Sequence, residues 1–255
     1  MALTALVPGF AAAAGAVQTY VTLVFNEPQP GQDVEYNRWY DEEHLPDVVA
    51  VPGFVSGQRF RRSPAQLRPN VPPSPQYLVA FTIVTDDLEA VYAEVRRRAR
   101  SGETKMSPTV KRGSGMNLTY LVTETVGVAQ PAGGQATPFC YQVVLADAQP
   151  GQEAVLDEWY RAHHAPEIAS FPGFTGYRLG TISPVQMMGT PPAGQHHLAL
   201  FGLSAADLAK TAAVFQHPER EMTHGPGTVN LFSVVYEAIG PLVSGDDIRA
   251  KRQQR

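Results

Sequence analysis

The chain is predicted to be an α+β protein built from two tandem ferredoxin-like (split-βαβ) units, each in the order βαββαβ. Three observations predict this. A set of residues recurs 120 positions apart without a gap: Gly31, Gln32, Trp39, Tyr40, His44, Pro46, Pro52, Gly53 and Phe54 match Gly151, Gln152, Trp159, Tyr160, His164, Pro166, Pro172, Gly173 and Phe174. Strand-like and helix-like stretches follow one another in the same order in both copies. A Gly/Pro/Ala-rich stretch, "AQPAGGQATP" (Ala129 to Pro138), separates them as a linker.

The first strand of each copy is "TYVTLVFN" and "FCYQVVLA", rich in β-branched and aromatic residues. After a "PGQ" turn, residues 33–45 and 153–165 read as helix, because Val155, Leu156, Trp159 and Tyr160 fall at the spacing of one helical face. Pro46 and Pro166 are expected to limit these helices, since proline cannot continue the backbone ladder. "PGF" then turns the chain into a second strand around 57–60 and 176–179, glycine permitting the turn and phenylalanine anchoring it. Third strands follow at 77–84 and 197–203. Second helices start after "DDLEA" and "AADLAK", and fourth strands lie at 118–125 and 231–238. Arg59 meets Arg178 if one residue is deleted from the second copy.

These readings divide the chain into an N-terminal arm (1–17), a first unit (18–128), the linker (129–138), a second unit (139–242) and a charged C-terminal tail (243–255). A βαββαβ unit leaves one sheet face bare. Two units in one chain can bury these faces sheet-to-sheet as an internal pseudo-dimer.

Composition narrows the function. The 255 residues are 44% hydrophobic and 17% charged, enough apolar content for a sizeable core. A net charge of -4 and a pI near 6.0 provide no extended basic face, so nucleic acid is not expected as a partner. The run "RRRAR" (Arg96 to Arg100) reads as a solvated helix end. The single cysteine, Cys140, excludes an internal disulfide and suits a reducing, cytoplasmic setting. The opening "MALTALVPGFAAAAGAV" lacks a basic leader and is broken by Pro8 and Gly9, so no membrane association is expected. GxGxxG, Walker, GxSxG and HExxH patterns are absent, and no metal is expected.

The stretch "YNRWYDEEHLPDVVAVPGFVSGQRF" resembles the dimeric α+β barrel superfamily, and in particular its EthD-like branch. The resemblance covers nearly all of residues 18–242 as two units. It implies a pseudo-dimeric α+β barrel. It leaves the reaction open among cofactor-free oxygenases, isomerases, dehydratases, haem enzymes and proteins without known activity. It also implies homo-oligomerisation through sheet edges.

Tyr36, Tyr40 and His44 step by four along the first helix, as do Leu156, Tyr160 and His164 along its counterpart. Each histidine is either a proton-transfer group beside a pocket or a cap on the last helical carbonyls. In the catalytic reading, His44 or His164 is the general acid or base, Tyr40 a hydrogen-bond donor and Arg59 an anion partner. Tyr36, Asn37, Trp39, Tyr160, Arg178 and His197 contact the substrate, although both tryptophans also read as core anchors. His196 and His197, adjacent on a strand, are expected to point to opposite faces. The expected activity is cofactor-independent acid–base chemistry, a lyase, dehydratase or isomerase step on a small hydrophobic cyclic or aromatic oxygenated substrate. The alternatives are cofactor-free monooxygenation of a phenol, a haem enzyme using His217 or His224, and a non-catalytic binding protein.

Overall fold

The computed structural model describes residues 15–68, 72–127, 139–216 and 225–254. Strand β1 (Gln18–Asn26) leads into helix α1 (Asp33–Trp39), a π-helical turn (Tyr40–His44) and α2 (Leu45–Val49). Then come β2 (Phe54–Arg62), β3 (Tyr77–Thr85), α3 (Leu88–Ser101) and β4 (Met116–Gly127). The same order repeats in β5 (Phe139–Ala148), α4 (Glu153–Trp159), a second π-helical turn (Tyr160–His164), α5 (Ala165–Ala169), β6 (Phe174–Ile182), β7 (His197–Ser204), α6 (Leu208–Phe215) and β8 (Thr228–Ala238). The chain ends in β9 (Val243–Ser244) and α7 (Gly245–Gln253).

The strands form one antiparallel sheet in the order β3-β1-β4-β6-β7-β5-β8-β2-β9, and β2 also pairs with β3, so the eight strands β1 to β8 close into a barrel. The bare sheet faces expected to stack are therefore the inner wall of a barrel, closed where β4 pairs with β6 and β2 with β8. Short β9 adds to β2 beside the three-residue β2–β8 pairing. Phe25, Phe60, Leu78, Leu118, Tyr141, Leu200, Val234 and their neighbours fill the interior. Two further cores lie outside it, where each half packs its helices on the sheet.

Register makes the two halves directly comparable. Thr22 faces Phe81 in β1–β3 and Gln142 faces Phe201 in β5–β7; Arg59 faces Val79 in β2–β3 and Leu179 faces Ala199 in β6–β7. The offset of 120 thus holds through the second and third strands. No deletion occurs, and Arg59 corresponds to Leu179, not to Arg178. Side chains alternate across a strand, so that one-residue difference puts the two arginines on opposite faces of the barrel wall.

Several boundaries move. The second helices start inside "DDLEA" and "AADLAK", Asp87 accepting the Ala90 amide at 2.9 Å as an N-cap. The Pro-Gly-Phe turns are as expected: Gly53 and Gly173 have φ of +97° and +94°, and Phe54 is fully buried. Residues 243–255 do not form a simple charged tail. Arg249 of α7 donates to the carbonyls of Val49, Val51 and Phe54 at 3.1–3.3 Å, tying the C-terminal helix to the end of α2 and the start of β2. The linker 129–138, residues 1–14 of the arm, His217 and His224 lie outside the described residues. Among the described residues no helix is long and apolar enough to cross a membrane.

Candidate functional site

Pro46 and Pro166 do not end their helices; each sits in the first turn of the helix that follows a π-helical turn. A proline inside an α-helix clashes with the carbonyl four residues back and deprives it of its donor. A π-helical turn, with its extra residue per turn, relieves both problems locally. It also brings residues five apart into register. Trp39 and His44 stack with centroids 4.5 Å apart and planes 27° from parallel, and Trp159 and His164 stack at 4.3 Å and 18°. Tyr40 and Tyr160 meet the same imidazoles edge-on at 5.0 Å. His44 and His164 are therefore held in mid-helix by aromatic rings and do not cap a helix end.

Trp39, Tyr40 and His44 line a cavity of about 340 Å³ between the helices and the sheet of the first half, with Val24, Val48, Phe81 and Val95 among its apolar walls. Thr104 and Asn117 also line it. His44 Nδ1 is buried without a hydrogen-bond partner. Burial pushes the imidazole down to about 4, with the Lys105 backbone carbonyl opposing that shift, so His44 is neutral at neutral pH. Burial likewise pushes the Tyr40 phenol up to about 12, with Arg59 pulling the other way, so Tyr40 keeps its proton.

One wall of this cavity comes from the other half of the chain: Met187 and Met188, in the loop between β6 and β7. That loop is clamped by Gln186, whose side chain accepts the Thr119 amide at 2.9 Å and donates to the Thr119 carbonyl at 3.0 Å. Gln66 makes the reciprocal pair with Val235, at 2.8 and 3.0 Å, and brings Leu67 and Arg68 to the cavity lined by Trp159 and His164. These clamps were missed by sequence reasoning. Their signal was present as "SPAQ" at 63–66 and "SPVQ" at 183–186, again 120 residues apart.

Arg59, expected to meet a substrate anion, does not line the cavity. It is 1% exposed and enclosed by the rings of Tyr40, Tyr36 and Tyr77, at 4.7, 5.5 and 5.7 Å. Its Nη2 donates to Asn37 Oδ1 at 2.5 Å and its Nη1 to the Asn37 carbonyl at 3.2 Å, with Asp41 Oδ1 at 2.7 Å from Nη1. Tyr36 and Asn37 belong to this cage and not to the cavity wall; Tyr36 donates to Asn26 Oδ1. Arg178, facing Leu200 of the interior core, donates to Thr82 Oγ1 at 3.1 Å. The proposed arginine pair is thus split between a helix-facing cage and the barrel interior.

The second half keeps Trp159, Tyr160 and His164 together on a cavity of about 140 Å³. His197 is elsewhere: its Nδ1 lies 2.7 Å from Asp157 Oδ1, on a separate cavity that Tyr160 also lines. His196, just before β7, pairs with Asp147 instead, Nδ1 to Oδ1 2.5 Å. Asp147 also accepts the Gln195 and His196 amides and Asn230 Nδ2. Burial opposes these hydrogen bonds, yet the carboxyl is held at about 2.

The fold is shared with solved structures. An anthrone oxidase-like protein is similar with a TM-score of 0.56 at 14% identity, over 89% of this chain and 93% of its own. A protein from Lactobacillus acidophilus assigned as a monooxygenase gives 0.50 at 10% identity, over 89% and 97%. A mutant chlorite dismutase from Candidatus Nitrospira defluvii gives 0.45 at 12% identity, over 91% and 94%. The architecture matches the dimeric α+β barrel fold. No protein-family model and no curated protein matches the sequence.

At these identities the likeness establishes fold alone. Among the described residues no group of three or more His, Cys, Asp or Glu could hold a metal ion.

Proposed function

We infer that the chain is a tandem pair of ferredoxin-like units of the EthD-like kind, and that its first-half cavity carries out cofactor-independent acid–base chemistry on a small hydrophobic, oxygenated ring compound. The observation that carries this reading is His44: a neutral imidazole with a buried, unpaired ring nitrogen in the wall of an otherwise largely apolar cavity. Buried polar atoms are almost always satisfied, and an exception in a cavity wall points to a ligand group as the missing partner. A hydroxyl or an acidic C–H of the ligand is the group such an imidazole would meet.

His44 takes a proton from the bound ligand and returns it at another atom, giving isomerisation, or to a departing hydroxyl, giving loss of water. The cost of a buried imidazolium is offset by the negative charge left on the ligand and by the Trp39 face against which the ring lies. Tyr40, protonated at neutral pH, donates to the developing oxyanion, and Asn117 is a second polar group of the wall. The Met187–Met188 loop limits water access, which strengthens these interactions.

A second reading is favoured by the neighbours described as anthrone oxidase-like and as a monooxygenase: the deprotonated phenol or anthrone reacts with O₂. One experiment tests both. The protein is incubated with anthrone and a panel of hydroxylated ring compounds, in air and under nitrogen, and product masses are read. Products isomeric with the substrate, or lacking one water, formed equally without oxygen support acid–base chemistry. Oxygen consumption with oxygen gain supports the second reading. Recovery of every compound unaltered overturns both.

A further inference from the structure

We propose that the second half holds a separate ligand site that accepts a small guanidinium or amidinium group in the place where the first half holds its own Arg59. Positions 120 apart coincide in the barrel wall, so Leu179 stands where Arg59 stands. In the first half the guanidinium is buried among the rings of Tyr36, Tyr40 and Tyr77. In the second, the shorter leucine leaves a cavity of about 140 Å³, lined by Val144, Asp157, Tyr160, Arg161, Leu179 and His197 among others.

Two holding elements of the cage persist. Tyr160 corresponds to Tyr40, the ring nearest the Arg59 guanidinium at 4.7 Å. Asp157 replaces Asn37, whose side-chain oxygen accepts from Arg59 at 2.5 Å, so the acceptor remains and gains a full negative charge. His197 replaces Tyr77 and steadies Asp157 through the 2.7 Å contact at one carboxylate oxygen, as Asn37 and Tyr77 are linked at 3.0 Å in the first half. Arg161, in the place of Asp41, is exposed at the rim and ion-paired with Glu158. Among the described residues of the wall it is the one fixed cation, and it works against a cationic ligand. The occupied seat thus has one carboxylate and a buried guanidinium between its rings. The open seat has one carboxylate, a ring face and space, with its own cation Arg161 exposed and drawn to Glu158.

The test is titration with methylguanidinium chloride at constant ionic strength, followed by the His and Tyr ring signals in NMR, with sodium acetate as the anionic comparator. Saturable shifts of His197 and Tyr160 by methylguanidinium, absent with acetate, are expected. Leu179→Arg places a guanidinium in the seat from within and abolishes binding. Asp157→Asn weakens it about tenfold or more, while Arg161→Ala tightens it. No saturable shift in the wild type, stronger binding of acetate, or weaker methylguanidinium binding in Arg161→Ala overturns the proposal. The last two variants decide it even if Leu179→Arg fails to fold. The site does not involve His44, so loss of the first-half activity leaves it untouched.

Discussion

His44 lies flat on Trp39, 4.5 Å between ring centroids, because a π-helical turn brings residues five apart into contact. The extra residue of that turn sets the phase of everything after it. Deleting Glu42 restores α-helical phase and rotates the following residues by about 100°, turning the buried Leu45 and Val48 away from the core. A loss of about 3 kcal/mol or more is expected in urea titration. Glu42→Ala, which removes only an exposed side chain, stays within about 0.5 kcal/mol.

The buried imidazole also gives stability a pH dependence. In the unfolded chain His44 titrates near 6.5, and in the folded protein near 4. Between these values the unfolded chain binds a proton that the folded one refuses. Stability therefore falls as pH drops from about 6.5 to about 4, by on the order of 3 kcal/mol, with no further loss from this group below. His44→Gln flattens that part of a Tm-against-pH curve. Asp147, depressed from 3.8 to about 2, contributes a separate loss in stronger acid that the variant leaves in place.

Catalysis by His44 predicts a division between the two histidines. His44→Gln lowers kcat for the first-half reaction by about 100-fold or more, with the melting temperature above pH 7 nearly unchanged. His164→Gln, on the other cavity, leaves kcat within a factor of about two under the same assay.

Gln186→Ala strips two hydrogen bonds from the backbone of Thr119; the buried amide loses that partner, while the carbonyl keeps the Ser183 amide at 2.8 Å. A loss of about 1–3 kcal/mol is expected in denaturant titration. Amide exchange at Thr119 accelerates in parallel. The freed Met187–Met188 loop raises KM for the first-half ligand more than it lowers kcat, because it forms part of the cavity wall and carries none of the proton-transfer groups.

Removing the Arg59 guanidinium tests the cage. Arg59→Leu, which copies the residue at 179, costs about 2 kcal/mol in urea titration. The cost stays below that of a fully buried pair because the Asp41 side chain is 49% exposed and can be solvated.

Much of the architecture could be read from spacing. Trp39 and Trp159, the Pro-Gly-Phe turns and the strand order recur because each half solves the same packing problem, and burial patterns leave a periodic trace in one dimension. The site was only partly legible. Trp39, Tyr40 and His44 were found together, but Arg59 and Tyr36 were assigned to their pocket when they form a closed cage beside it. The one-residue gap matching Arg59 to Arg178 looked plausible as letters. Strand register, which places successive side chains on opposite faces, rules it out. The SPxQ clamps carried a clear repeat whose meaning lay in a backbone segment far away in the chain.

The amino-acid order alone determined a repeated α+β chain whose two halves each carry an aromatic-flanked histidine, since local propensity and apolar periodicity are properties of neighbours along the chain. Only the tertiary structure decided that the halves close edge to edge into one barrel, that each lends a loop to the other's cavity, and that one half fills a seat with Arg59 that the other leaves open. Those outcomes depend on hydrogen bonds and burial between segments distant in sequence, where a single residue of register moves a side chain from one face of the wall to the other.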